Sequence, residues 1–426
     1  MTLKNVLPLT AMVIALAATG ASAQQIDPKV AARIDRILKA TPLIDGHNDL
    51  AEQLRENYAM SVEGLASGTE RRAKPLMTDM ARLHQGRVGG QFWSVYIPSE
   101  VTGDAAIRDT IEQIDIVKRL IKAYPADLEL ARTADDIVRI HKIGKVASLI
   151  GIEGGHQIGG NLAALRQFYE LGARYMTLTH FKNNEWADSA TDDPKYHGIT
   201  DFGRTVIHEM NRLGMLVDLS HVSDDTMRQA IAASKAPVIF SHSSARALSD
   251  HNRNVPDDIL QLTGRNGGVV MVNFYPPYVS DAFRKWNAEE AAEEGRAKSL
   301  HNGRPEAREA AIAAWKAANP APRVTVSDVA DHVDHVARVA GYDHVGIGGD
   351  LEGIEVAPEG LGTVSGYPLL FAELVRRGWS DENLAKLAGG NLLRVLRQAE
   401  AVATSMKDEP PAMATLQPRS ATDPWK

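Results

Sequence analysis

Eight short apolar runs, each set off from the next by helical or loop patterns, constrain the fold of this chain more than any other feature. They are PLIDGH from Pro42, QFWSVYIP from Gln91, VASLIGIEGG from Val146 and RYMTLTH from Arg174. The series continues with GMLVDLSH from Gly214, APVIFSHSS from Ala236, GGVVMVNF from Gly267 and DHVGIGGD from Asp343. Between most of them lie amphipathic helical patterns such as NLAALRQFYELGA and ITDFGRTVIHEMNRLG. Strand and helix in alternation imply parallel strands joined by right-handed crossovers. Eight near-continuous apolar strands predict an α/β fold closed as a (β/α)8 TIM-type barrel. An open dinucleotide-binding sheet is the weaker alternative, because no G-x-G-x-x-G follows the first run.

Three segments depart from this rhythm. An Ala/Glu/Arg-rich stretch from Asp281 to Pro322 reads as a helical insertion before the last strand, two exposed helices outside the barrel. The first residues, MTLKNVLPLTAMVIALAATGASAQQ, carry an early lysine, an apolar stretch from Val6 to Ala18 and a small-residue cleavage site. That pattern predicts a secretory signal over residues 1–23 and a mature chain that is exported, to the periplasm or the medium. The apolar stretch, interrupted by Pro8 and Thr10, is shorter than the ~20 residues of a membrane span, so no stable membrane anchor is expected. The barrel is assigned to 24–403, and the polar, proline-containing tail 404–426 is expected to be disordered. A net charge of -7 with no basic stripe argues against a nucleic-acid partner.

Six of the eight runs close on a side chain able to bind a metal ion. His47 and Asp49 end the first, Glu153 the third, His180 the fourth, His221 the fifth, His242 the sixth and Asp350 the eighth. In a parallel barrel these ends share one rim, the face where reacting groups gather. A single histidine at a strand end is ordinarily a hydrogen-bonded structural residue. A convergent set is different, because burying unpaired imidazoles and carboxylates is costly and a cation offsets that cost. The chain has no cysteine, so thiolate ligands are excluded. Neutral imidazole with carboxylate suits Zn²⁺, with Mn²⁺ or Co²⁺ as alternatives. His47 and Asp49, two residues apart on an extended segment, are expected to face one metal together. His332 and His335, in DHVDH, are expected on the solvated face of an outer helix, and Asp45 is read as a supporting acid.

The motifs DGHNDL at 45, GIEGGH at 151, YMTLTHFKNNEWADS at 175, VDLSHVS at 217, FSHSSAR at 240, HNRNVPD at 251, GIGGDLEG at 346 and GGNLLRV at 389 cover nearly the whole mature chain. In their order and spacing the chain resembles the membrane dipeptidase (renal dipeptidase) family of zinc metallopeptidases. The resemblance implies two zinc ions per chain: one held by His47 and Asp49, the second by His221 and His242, with Glu153 bridging both. It implies that His180 contacts substrate beside the scissile carbonyl, that Arg253 holds the substrate's carboxylate and that Asp350 is the acid closing the last strand. A homodimer is implied as well. The family often has GSDFDG at the final strand where this chain has GGDLEG, so that Asp350 is retained and the next acid is Glu352.

The expected activity is hydrolysis of dipeptides by a metal-bridging hydroxide, generated as the two cations lower the pKa of a shared water towards ~7. His180 would stabilise the oxyanion and Asp350 would carry the proton from water to the leaving amine. Arg253 would pair bidentately with a free carboxylate one residue beyond the scissile bond, which favours dipeptides over longer chains. Simpler roles stay open here: Arg253 paired with Asp250 or Asp257, and Asp350 as a helix N-cap. Two other functions also stay open. One is an amidohydrolase acting on a lactam, a cyclic amide or a phosphoester; the other is a non-catalytic exported binding protein of the same fold.

Overall fold

The computed structural model describes residues 26–416, so the expected signal segment 1–23 lies outside the described residues. Nine strands form one parallel sheet: β1 (Leu43–Asn48), β2 (Val88–Tyr96), β3 (Leu128–Leu130), β4 (Val146–Glu153), β5 (Ala173–Thr177), β6 (Leu216–Asp218), β7 (Ile239–Phe240), β8 (Val269–Val272) and β9 (Val345–Ile347). Pairing runs β2-β1-β9-β8-β7-β6-β5-β4, and β4 returns to β2 through Gly90↔Ala147 to Tyr96↔Glu153. Eight strands therefore close a barrel, as the alternating pattern predicts. The ninth, β3, pairs with β4 at Val146–Ser148, on the edge that β4 gives to β5 from Ile150 onward. Its three residues are too few to show any periodicity in the sequence.

The pleat sorts the strand residues into two cores. On β8, Val269 and Met271 join the cluster that also holds Ile44, Phe92 and Tyr175, while Val270 and Val272 join the cluster shared with the outer helices. Both faces of the strands are thus buried, which is why the sequence shows continuous apolar runs rather than alternation.

The insertion forms two helices, Asp281–Leu300 and Pro305–Ala318, before the helix Val326–Ala340 that leads into β9. The second buries none of its residues, and Trp286 meets Trp315 with ring centroids 5.9 Å apart. The tail departs from the expectation of disorder over its described part. The last helix runs to Ser405, Met406 is buried, the Arg166 guanidinium donates to the Ala412 carbonyl at 3.0 Å, and the Leu416 amide donates to Gly160 at 3.0 Å. The polar composition of this segment hid the backbone groups that hold it.

His332 and His335 also differ from expectation, since both are buried rather than solvated. His332 accepts from the Ala245 amide through Nδ1 at 3.0 Å and donates from Nε2 to the Val279 carbonyl at 2.9 Å. His335 Nε2 lies 2.7 Å from Asp257 Oδ1. Burial pushes His332 down to about 4, against the opposing bond to Val279. An unfolded imidazole takes up a proton below ~6.5 and the folded one does not until about pH 4, so this contribution to stability is present above ~6.5 and lost as pH falls through that window. Between pH 7 and about pH 4.5 the wild-type chain should lose about 2.5 kcal/mol more than His332→Gln in urea melts. Equal losses would show that His332 is not the group.

Candidate metal centre and substrate pocket

The β-strand ends meet at one mouth. His47 lies on β1, Asp49 stands just before the helix Leu50–Asn57 that follows it, and Glu153 is the last residue of β4. His180, His221, His242 and Asp350 stand two or three residues beyond β5, β6, β7 and β9. His47 Nε2 lies 3.3 Å from Asp49 Oδ2 and 3.4 Å from Glu153 Oε2. On the other side, His221 Nε2 lies 3.0 Å from Glu153 Oε1, His242 Nε2 lies 3.4 Å from the same oxygen, and the two imidazole nitrogens are 2.9 Å apart. Asp49 joins this set from the strand-to-helix turn rather than from an extended strand.

The electrostatics fit a cation. His47 Nε2 and Asp49 Oδ1 are buried without a hydrogen-bond partner. Ligand atoms sharing a small cation at ~2.0–2.1 Å in tetrahedral geometry lie about 3.3 Å apart, close to the spacings seen here. Burial would lower His47, yet the charges of Tyr175, Asp49 and Glu153 together outweigh it and raise the imidazole well above its ordinary range. His180, His221 and His242 are all held well below theirs by burial, then by neighbouring positive groups including Arg253, so they are neutral donors. His221 and Asp350 carry φ angles of 70° and 60°, a left-handed conformation that costs a side-chain-bearing residue about 1–3 kcal/mol and recurs at functional sites.

Supports that the sequence did not reveal orient these side chains. Tyr175 Oη reaches His47 Nδ1 at 2.8 Å, leaving Nε2 to face the carboxylates. The ring fits because β4 carries Gly151 opposite it, where a Cβ would lie 2.0 Å from the ring. His242 Nδ1 is 2.8 Å from Ser241 Oγ, which donates to Asp218 Oδ2 at 2.6 Å; Thr177 donates to the same oxygen at 2.5 Å. Ser241 stands where backbones crowd, since a Cβ on Gly348 would lie 1.8 Å from its carbonyl oxygen. Asp45 acts as the supporting acid expected: it accepts from the His47 amide at 2.8 Å, from Gln91 at 2.9 Å and from the Gly349 amide at 2.9 Å, and it also bonds Tyr367.

A cavity of about 200 Å³ opens beside the cluster, lined among others by His180, Arg253, Asp350, Tyr278 and Glu52. Arg253 is 1% exposed, and its guanidinium donates to Ser243 Oγ and the His242 carbonyl, both at 3.3 Å, with the Tyr278 ring 5.4 Å away. Neither Asp250 nor Asp257 pairs with it among the described residues. A buried, unpaired guanidinium facing a cavity is a receptor for an anion. Asp350 Oδ2 accepts from Asn273 at 2.8 Å and Oδ1 lies 4.0 Å from His47 Nε2; it does not cap a helix. Burial, opposed by His47 and reinforced by Asp49 and Glu153, pushes its carboxyl up to about 8. Glu352 turns away from the cluster to bond the Met77–Thr78 segment, and so does not take part in the cavity. Glu52 stands one helical turn beyond Asp49, and a lone acid on a helix carries no signal in the sequence.

If Tyr175 and Ser241 fix the two imidazoles, Tyr175→Phe and Ser241→Ala should each weaken metal binding about tenfold or more without unfolding the chain. Competition titration against a chelator reads this, and unchanged affinity in both would remove the orienting role.

The region that carries these residues matches known proteins. The family model described as Membrane dipeptidase (Peptidase family M19) matches residues 31–410. Dipeptidase 3 of Rattus norvegicus is 42% identical over 382 residues, which is 88% of this chain and 69% of its own. Dipeptidase tcpJ of Claviceps purpurea (strain 20.1) is 41% identical over 384 residues, 88% of this chain and 81% of its own. In fold, the crystal structure of the probable dipeptidase PvdM from Pseudomonas aeruginosa superposes with a TM-score of 0.74 at 24% identity, covering 88% of this chain and 99% of that one. From the first strand's His47 to the last strand's Asp350, the matched region contains every residue of the cluster, and the chain belongs to the membrane dipeptidase family, peptidase family M19.

Proposed function

We propose that this protein is an exported dipeptidase that uses two zinc ions, one between His47 and Asp49, the other between His221 and His242, with Glu153 shared by both. The observation that carries this reading is the division of the Glu153 carboxylate. Oε2 lies 3.4 Å from His47 Nε2 and Oε1 3.0 Å from His221 Nε2, so each oxygen faces its own donor set. When bound, the cations supply Lewis acidity and lower the pKa of a coordinated water to near neutrality.

The chain's own residues supply the rest. Arg253 fixes the substrate's free carboxylate with a planar fork, and its depth in the pocket sets how far that carboxylate lies from the scissile bond. His180, neutral and packed between Tyr96 and Phe181 with ring centroids 4.6 and 4.1 Å away, offers a hydrogen bond to the oxyanion as the carbonyl carbon becomes tetrahedral. Asp350, held by Asn273 at 2.8 Å beside the cluster, takes a proton from the attacking water and returns it to the departing amine. Zinc is favoured over softer metals because the donors are imidazole and carboxylate alone. Export rests on the signal pattern of residues 1–23, and among the described residues no helix is long and apolar enough to cross a membrane. Assembly as a homodimer completes the proposal.

Metal-replete protein should cleave dipeptides and spare tripeptides, and a chelator should abolish the activity until zinc is restored. Tripeptides cleaved at equal rates would overturn the carboxylate-ruler role, and metal content well below stoichiometric would favour a non-catalytic binding protein. Arg253→Lys keeps the charge and loses the fork, so KM for dipeptides should rise about tenfold or more. An unchanged KM would remove Arg253 from substrate binding.

A further inference from the structure

Glu52 takes part in neither the metal centre nor carboxylate recognition, yet it lines the same cavity. It follows Asp49 by three residues on the helix Leu50–Asn57, so the two side chains share a face about one turn, ~5 Å, apart. Among the described residues, no donor or cation bonds its carboxylate. Arg55, on the same helix, is committed to Glu112 at 2.8 Å and Asp109 at 3.4 Å, and the Gln53 amide donates to the Glu352 carbonyl at 2.9 Å. The charges around Glu52 are those of Asp49, Glu153, Glu56 and Asp350, all of its own sign; burial, then these charges, push its carboxyl up to about 9, and a cation seated beside it would draw it back to the charged form.

The cavity's charge balance gives this acid a purpose. Arg253 is the cation lining the cavity, and a bound substrate's carboxylate neutralises it. It enters from the loop after β7, separated from β1 by β8 and β9 along one arc and by β2, β4, β5 and β6 along the other. A dipeptide whose carboxylate is held there extends its N-terminal residue across the centre towards β1 and Glu52. Its α-ammonium, two bonds from the scissile carbonyl carbon, would stay beside Asp49, Glu153 and Asp350, the acids that line the cavity at the centre. The gap of about one helical turn to Glu52 is the reach of a long side chain. Tyr96, Phe181, Tyr275 and Ile354 line the path and would cover an aliphatic stem, and Glu355 adds a second negative charge at the rim.

We propose that Glu52 is a specificity residue that selects dipeptides whose N-terminal residue carries a cationic side chain. This rests on the dipeptidase reading, and the test separates the two. Zinc-loaded wild-type protein is assayed with lysyl-alanine, Nε-acetyl-lysyl-alanine, leucyl-alanine and alanyl-lysine. The kcat/KM for lysyl-alanine should exceed that for its acetylated, uncharged form and that for alanyl-lysine by about tenfold or more. In Glu52→Gln the ratio of lysyl-alanine to leucyl-alanine should fall by a similar factor. A wild-type enzyme indifferent to acetylation, an equal preference for alanyl-lysine, or an unchanged ratio in Glu52→Gln overturns the proposal while leaving the dipeptidase reading intact. Failure to cleave any of the four overturns the dipeptidase reading, and the role of Glu52 with it.

Discussion

The structure depends on the cost of gathering carboxylates and imidazoles in a place with almost no water. His47, Asp49, Glu153, His221 and His242 are all nearly inaccessible, and the Nε2 atoms of the three imidazoles lie 3.0–3.4 Å from the carboxylate oxygens. No arrangement of hydrogen bonds among them settles the charge, because the carboxylates accept only and the imidazoles each have one proton to give. Positive charge from outside the chain resolves this. Its demand is visible in His47, which is drawn towards protonation while the neighbouring imidazoles are driven away from it.

Holding such a cluster requires rigid support, and the barrel supplies it from two directions. Inside, Tyr175 crosses from β5 to the imidazole on β1, using the space left by Gly151 on β4. Around the rim, the pairing of Thr177 with Asp218 aligns β5 and β6 so that Asp218 can hold Ser241 beneath His242. Asp45 ties β1 to β9 through the Gly349 amide. These bonds join strands whose next residues bear the clustered side chains, so the position of the cluster and barrel closure are one property.

Much of this was legible in the sequence, and the reason is chemical. A buried strand that ends in histidine or a carboxylate breaks the apolar pattern, and six such breaks in register with eight strands point to one rim. The family motifs then imply separate roles for residues that composition alone treats alike. What stayed hidden is equally physical. Tyr175 and Ser241 look like ordinary strand residues until register shows which imidazole each one meets. Three residues of β3 are too short for any pattern. His332 and His335 suggested a solvated helix because polar residues surround them, whereas their ring nitrogens are matched to groups on the Ala245 loop, the segment at Val279 and Asp257. Nothing in the spacing of a helix announces that Glu52 faces a cavity.

The left-handed backbone at His221, Asp350 and Glu352 has a further meaning for how the chain can change. Asparagine or glycine would sit more comfortably at each of these points, and none of them would do the work of the residue present. Inactivating replacements at the rim therefore relax the loops that bear them. A lineage freed from selection for turnover would drift towards a sturdier, silent barrel.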